Sequence, residues 1–515
     1  MDDRLSVNKW LIAATVMIPT IMEIVDTSVA NVALNQIRGS LSAGVDEATW
    51  VITSYLVSNA IIIPLTGWLA RRFGRKRYLT FSIALFTISS FLSGSASNLT
   101  MLIVFRVMQG IGGGALQPLS QAILLESFPP REHGMAMAVF GVGIMFGPII
   151  GPFLGGWLTD TLSWRWIFYV NIPIGIVALI MVFFFIFDPS YLRRVKEKID
   201  YWGLALLVLA IGCLQIVLDK GQREDWFGSG FIIVFSMISA IAFAFFIYVE
   251  LTTEKPVVNL RTFRNIEFAA GNVIMFIAFF SFFGSLILLP LYLQILMGYT
   301  AMLAGMALTP GGIASLISMI IMGRLINRID PRFIMFFGLL IASYSFYLMT
   351  QFNLFAGYNY VVLPRIVQGF GVGLLFVPLT TLTLTEIPRE EMGNATSIFN
   401  LLRNLGGSFG VAFSATILAR NTQVFHNNLI VHLTPTSSNY QHGLLYLQSL
   451  LVRLGMNPAI QDQAALGVLN NELQRQSLML AFNSAFADLF LVFLLAFPFL
   501  FLLKRPRFGQ ALAAH

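Results

Sequence analysis

The amino-acid sequence predicts an all-α, multi-span membrane protein, and three features predict it. Of its 515 residues 57% are hydrophobic and only 11% charged, with mean hydropathy +0.77, more apolar surface than a soluble domain of this size needs. The apolar residues gather into runs long enough to cross the roughly 30 Å hydrocarbon core of a bilayer as helices. The basic residues fall in clusters between alternate runs. A net charge of +7 and a pI near 9.5 would otherwise suit a nucleic-acid partner, but cations placed this way are an orientation signal, so no nucleic acid is expected.

Taken in order, the spans run Trp10 to Leu34, Thr49 to Leu69, Tyr78 to Ser97, Leu102 to Glu126, Met135 to Leu158, Trp166 to Phe187, Tyr201 to Leu218 and Phe231 to Leu251. Then come Phe268 to Met297, Ala301 to Ile321, Phe333 to Thr350, Tyr360 to Leu384, Asn394 to Leu418 and Ser477 to Leu503. Ends read this way hold to a few residues, and the total is about fourteen. One set of alternate loops carries Arg71, Arg72, Arg75, Lys76 and Arg77, then Arg193, Arg194, Lys196 and Lys198, then Arg324, Arg328 and Arg332; the opposite set carries few cations. By the positive-inside rule the first set is cytoplasmic and both termini with it, which an even number of spans also requires. The first run is too long and too acidic for a cleaved signal peptide and reads as a retained span. Cys213 is the lone cysteine, which rules out a disulfide within the chain and a thiolate metal site.

An internal repeat organises the spans. Arg106, Gln109, Gly110, Gly112 and Gly134 recur as Arg365, Gln368, Gly369, Gly371 and Gly393, each displaced by 259 (365 − 106). Gly67, Arg72 and Lys76 have a looser echo in Gly323, Arg328 and Arg332, displaced by 256 (323 − 67). Two parallel six-helix halves with two extra helices between them account for that distance. The expected division is an N-terminal six-helix bundle over 1–187, a linker with two extra spans over 188–265, and a C-terminal six-helix bundle over 266–515 that includes a long polar outer loop, 420–476.

Charges inside the spans are few. In the first, Glu23 and Asp26 lie three apart on neighbouring helix faces, with Asn31 further along. A carboxylate at that depth costs a few kcal/mol and should face the protein interior. Burial disfavours its charge and a nearby cation favours it, and a group balanced between the two can load and release a proton. Arg106, the basic residue deep in the first half, is the natural counter-charge, with Gln109 one turn away. Two readings stay open: a proton-coupling pair, or a fixed pair that merely holds two helices together. Glu23 is a second coupling candidate or an attractor of cationic cargo. Arg403, expected nearer the cytoplasm at a gate, and Asp488 in the last span are secondary candidates. The histidines lie outside the deep parts of the spans, which speaks against a histidine relay.

From Met135 to Leu158, Gly143, Gly147, Gly151 and Gly155 recur every fourth residue, with Pro148 and Pro152 each one step behind a glycine. On a helix this spacing leaves a bare groove into which a second helix can sink. We expect that groove to be the joint along which two bundles press together and part. The second span ends in Gly67-Trp-Leu-Ala-Arg71-Arg72-Phe-Gly74-Arg75-Lys76, with glycines for a tight cytoplasmic turn and cations for the anionic leaflet.

The row G-x-x-x-G-P-x-x-G-P-x-x-G-G resembles the antiporter motif of the major facilitator superfamily. Gly67 to Lys76 resembles its loop motif, with Arg71 where that motif carries an acid. Ile24-Val-Asp26-Thr-Ser-Val-Ala-Asn31, Arg106-x-x-Gln109-Gly110 and Trp164-Arg165-Trp166-Ile-Phe-Tyr-Val-Asn171-Ile-Pro173 are similar to motifs of the EmrB/QacA family of fourteen-span drug exporters. The resemblance implies the major facilitator fold and export of lipophilic, often cationic or uncoupler-like drugs across a bacterial inner membrane. It also implies the proton motive force in place of a cofactor, and work beside a periplasmic adaptor and an outer-membrane channel. Segment 420–476 is then an inert insertion or the adaptor's docking surface. The chain's 47 Phe and 21 Met permit a cavity that binds many shapes weakly. No Gly-x-x-x-x-Gly-Lys phosphate loop and no metal-ligand or nucleophile–histidine pattern is present, which disfavours ATP-driven transport and an enzyme. The alternatives are a proton-coupled symporter for a small organic solute, against which the glycine row stands, and a scaffold that moves nothing.

Overall fold

The computed structural model describes residues 8–188, 200–254, 256–326, 328–434, 436–454, 457 and 460–503, and among them the chain is helical with no strand. The N-terminal bundle is built from α1 (Lys9–Ser40), α2 (Val45–Phe73), α3 (Arg75–Gly94), α4 (Leu99–Gly113), α5 (Leu116–Ser127), α6 (His133–Thr161), α7 (Trp166–Tyr169) and α8 (Asn171–Phe185). These eight helices make six spans. The fourth span breaks into α4 and α5 where Gly112, Gly113 and Gly114 follow one another, since glycine holds a helix poorly. The sixth bends between α7 and α8, and Pro173 sits in the first turn of α8, where its missing N–H does no harm.

Two further helices, α9 (Tyr201–Lys220) and α10 (Gly230–Thr252), pair with each other. The C-terminal bundle follows with α11 (Ile266–Leu291), α12 (Ala301–Leu325), α13 (Pro331–Met349), α14 (Tyr358–Thr385), α15 (Met392–Ile430), α16 (Ser438–Arg453), α17 (Gln461–Leu494) and α18 (Ala496–Leu500). Among the described residues 13 helical stretches are long and apolar enough to cross a membrane. The one expected span missing from that set is α3, whose hydropathy is diluted by Ser82, Ser89, Ser90 and Ser93; all four are buried, because α3 packs between α4 and α8. Position in the bundle therefore makes it the fourteenth span. The basic cluster Arg193 to Lys198 lies outside the described residues.

The segment 420–476 corrects the expectation of a loop. Helix α15 runs on to Ile430, α17 starts at Gln461 before the membrane is reached, and α16 packs on α17 between them. Polar side chains marked this segment as out of lipid, but they say little about backbone: neither 420–430 nor 461–476 holds a proline, so the helices simply continue outward.

The two bundles meet along two seams, α2 with α15 and α6 with α12. Residues of the repeat close both seams at their cytoplasmic ends. Gly67 donates its N–H to Ser397 Oγ (3.0 Å), and a β-carbon there would lie 2.7 Å from the backbone of Gly393 and Asn394. Its counterpart Gly323 rests on Ala138 and Met135, while Gly134 takes the side chain of Ile326. Helix α9 lies over the first seam and touches both sides of it: Lys220 Nζ donates to Thr49 Oγ1 on α2 (2.7 Å) and Gln215 Nε2 to Ser408 Oγ on α15 (3.0 Å).

The glycine row occupies a different place from the expected joint. Its groove is filled by α1 of the same bundle, with Gly143 against Met17, Gly147 against Ile24, Gly151 against Ser28 and Gly155 against Val29. Spacing shows that one face is bare without showing which neighbour fills it. The seam to the other bundle uses another face of α6, where Gly141 meets Met319 and Phe376 and Ile149 meets Gly312. The side chains of Pro148 and Pro152 lie outside the described residues.

Candidate transport site

Because Met17, Ile24 and Ser28 of α1 are sunk into the bare face of α6, the two carboxylates of α1 are turned away from it, into the bundle. Their surroundings differ. Asp26 is 2% exposed and accepts three hydrogen bonds: from Arg106 Nη1 on α4 (2.7 Å), Gln109 Nε2 on α4 (2.9 Å) and Asn171 Nδ2 on α8 (2.7 Å). Arg106 is itself fully buried. Its Nε donates to the Val51 carbonyl (3.1 Å), Nη1 also donates to Gln109 Oε1 (2.8 Å), and the guanidinium lies 4.2 Å from the Tyr55 ring centroid and 5.6 Å from that of Phe168. Each hydrogen bond to a charged group in so dry a place is of the strong kind. The sequence pairing of Asp26 with Arg106 and Gln109 is thus one cluster in space.

Glu23, one turn earlier, is 3% exposed and faces the other bundle. It accepts from Tyr55 Oη (2.8 Å) and Asn59 Nδ2 (3.2 Å) of α2 and from Gln117 Nε2 of α5 (2.6 Å). Gln117 Oε1 in turn accepts from Arg403 Nη2 of α15, so a chain of bonds crosses between the bundles. Below it Asn400 Nδ2 donates to Gln121 Oε1 (2.6 Å), a second link of the same kind. Arg403 therefore stands at the level of Glu23, against the Phe279 ring (5.6 Å), and the expected place nearer a cytoplasmic gate is corrected. Helix α15 enters at Met392, which lifts residue 403 about three turns into the membrane.

Tyr55 belongs to both groups. Its hydroxyl holds Glu23 and its ring covers Arg106, so the two carboxylate sites share one side chain. Asn171 stands in the sequence within the Trp164–Pro173 motif, but nothing there marks it, Tyr55, Asn59 or Gln117 as a site residue. The available signal was weak: each is a polar or aromatic group in an apolar span, and such residues also serve in packing.

Other expected residues stand apart. Asn31 is exposed and donates to the Thr27 carbonyl of its own helix (3.1 Å). Asp488 is half-buried in α17 and takes no part in these networks. The cytoplasmic turn is built as a unit: Gly74 has φ 89°, a left-handed value that glycine adopts without strain, and it both ends α2 and starts α3. Arg75 pairs with Glu126, and Arg72 lies against Trp68 (5.6 Å) and Phe73 (5.9 Å).

The profile of the Major Facilitator Superfamily matches residues 16–411. The chain belongs to that superfamily. Within it, the chain is 39% identical to the multidrug export protein EmrB of Haemophilus influenzae over 84% of this chain and 86% of that protein, and 38% identical to EmrB of Escherichia coli K12 over 92% of each. It is 36% identical to the fatty acid resistance protein FarB of Neisseria gonorrhoeae over 94% of each. These likenesses put it in the EmrB family. Among solved structures, the human organic anion transporter MFSD10 superposes with TM-score 0.59 at 13% identity, covering 94% of this chain and 99% of that one. The proton:xylose symporter XylE does so with TM-score 0.55 at 16% identity, covering 81% and 90%. Both likenesses establish the major facilitator fold of the helices described above.

Proposed function

We propose that this protein, a multi-pass transporter of a bacterial inner membrane, exports lipophilic drugs in exchange for protons by alternating access. The observation that carries the reading is the pair of buried carboxylates on α1: one, Asp26, enclosed with Arg106, the other, Glu23, tied across the bundle seam to Arg403. Asp26 is the proton site. Arg106 keeps the Val51 carbonyl, Gln109 Oε1 and two aromatic faces when the carboxylate is neutralised, so loading a proton does not strand its guanidinium. Glu23 is the anion toward which a cationic drug is drawn. A cation there competes with the donors of Gln117, and so loosens the link to Arg403 that joins the bundles. Tyr55 conveys the state of one carboxylate to the other, and proton and drug binding are then reciprocally linked.

The moving bodies are residues 1–187 and 266–515, with α9 between them lying over one seam. Relatives named for multidrug export and fatty acid resistance support lipophilic cargo. A periplasmic adaptor, itself in contact with an outer-membrane channel, docks on the outer helices α15 to α17, where Val431, Leu445, Tyr446 and Leu454 are exposed. Deleting 431–460 should abolish adaptor binding and leave proton–drug exchange in place.

The test of exchange uses inside-out vesicles. Adding a cationic drug should dissipate a preset pH gradient with the native chain and leave it untouched with Asp26→Asn. In purified protein, drug binding should weaken as pH falls, because protons compete, and that dependence should flatten in Asp26→Asn. The same titration in both proteins would return Asp26 and Arg106 to the role of a fixed pair.

A further inference from the structure

The second repeat has kept the buried cation of the first and lost its acid. Arg365 answers Arg106 (365 − 106 = 259) and is 4% exposed. Its contacts are Gln368 Oε1 and, at 5.1 Å, the Phe282 ring; Nε is buried with no hydrogen-bond partner, and among the described residues no carboxylate stands within ion-pair distance. The position answering Asp26 is Ser285 (285 − 26 = 259), and Gln368 Nε2 donates to its Oγ (3.0 Å) just as Gln109 does to Asp26. The frame is retained and the negative charge is missing.

The tyrosine cover is missing as well, and Phe282 is the ring that remains. Gly110 packs on the backbone of Tyr55, and its counterpart Gly369 packs in the same way on Gly311, which answers Tyr55 at the other repeat displacement (311 − 55 = 256). With a glycine where the first half has a ring, Arg365 borders a partly open cleft instead of a tyrosine. Gly312, Phe282, Leu308 and, from α6 across the seam, Met145 and Ile149 line that cleft beside Arg365. A guanidinium in apolar surroundings without an anion is costly, and the vacancy has the polarity of a carboxylate.

Resting on the export reading above, we propose that Arg365 binds the carboxylate of a lipophilic weak acid, so that the C-terminal bundle takes anionic cargo as the N-terminal bundle takes cationic cargo at Glu23. The carboxylate accepts from the guanidinium in charge-assisted bonds. The tail lies along Phe282, Leu308 and Met145, toward the seam. In this structure the cleft has room for little more than a water, so cargo enters it only as the α6–α12 seam loosens. Because Met145 and Ile149 belong to the opposite bundle, an occupied cleft also bears on how the α6–α12 seam closes.

The probe is a diazirine-bearing decanoate, irradiated with the full-length protein in phosphatidylcholine nanodiscs and mapped by mass spectrometry. Label is expected on α11, α12 and α14, displaced by plain decanoate and not by decyltrimethylammonium, which matches its chain length with opposite charge. Arg365→Gln should lower that label about tenfold or more, and Arg365→Lys, which restores the charge, should retain most of it. Ser285→Asp places an internal anion where the first half has Asp26, and should exclude the probe as Arg365→Gln does. If Arg365→Gln does not purify as a monodisperse protein, Ser285→Asp decides, since the first half already folds with that arrangement. Undiminished label in Ser285→Asp or in Arg365→Gln, or equal displacement by the ammonium compound, would overturn the proposal. Failure of the export reading itself shows separately, as native vesicles that move no ethidium against a proton gradient.

Discussion

Asp26 and Glu23 are three residues apart on one helix, and the difference between them is in what surrounds each. Asp26 is enclosed within its own bundle, so replacing it with alanine removes every acceptor that Arg106, Gln109 and Asn171 share there, whereas asparagine keeps one oxygen in place. That loss should cost about 3–5 kcal/mol, read as a lowered midpoint of thermal unfolding in detergent, with Asp26→Asn costing much less. Glu23 reaches the seam, and its bond to Tyr55 ties it to the first cluster. A double-mutant cycle of Glu23→Gln and Tyr55→Phe on ethidium binding should show a coupling of about 0.5–3 kcal/mol. Strict additivity would mean that the tyrosine hydroxyl carries nothing between the two sites.

At the scale of elements, the glycine row of α6 acts by setting the rotation of α1. Met17, Ile24 and Ser28 form a stripe on α1 that fits the bare stripe of α6, and that fit turns Glu23 and Asp26 inward. A side chain at Gly147 collides with Ile24 and presses on its backbone carbonyl, which a flexible neighbour cannot relieve. Gly147→Leu should therefore lower the unfolding midpoint and abolish ethidium efflux together. Gly156→Leu is the control: nothing lies within 4 Å of a β-carbon there, and both readings should stay near native. Equal tolerance at the two positions would show that α1 is not held by this groove.

For the whole molecule, the cytoplasmic ends of both seams are closed by residues of the repeat, Gly67 with Gly393 and Gly323 with the first two turns of α6. Alternating access requires these contacts to part. A β-carbon on Gly323 would lie 2.7 Å from that of Ala138, so cysteines at both positions need only a small outward shift to form a disulfide. Cys213, the single native cysteine, is buried and does not compete. Oxidation of the Ala138→Cys, Gly323→Cys protein should stop efflux, and reduction should restore it. Undiminished efflux by the oxidised protein would mean that this seam does not open.

Much of this architecture was legible in one dimension. Span length, the alternation of basic loops and the 259-residue repeat are properties of composition and spacing, and they were enough for the membrane class, the number of spans and the pairing of Asp26 with Arg106. Even α3, serine-rich as it is, was readable from the length of its own apolar run, Tyr78 to Ser97. What tertiary structure alone decided is which faces meet. A bare helical face has the same spacing whether α1 or the other bundle fills it, and polar residues beyond the membrane look alike as loop or as helix. Glu23 found its partners on α2 and α5, and through Gln117 on α15, because packing brought together side chains up to 286 residues apart. Periodicity within one helix carries no record of such contacts: the repeat puts Ser285 where an acid would stand, but only the fold shows Arg365 buried there with Nε unanswered.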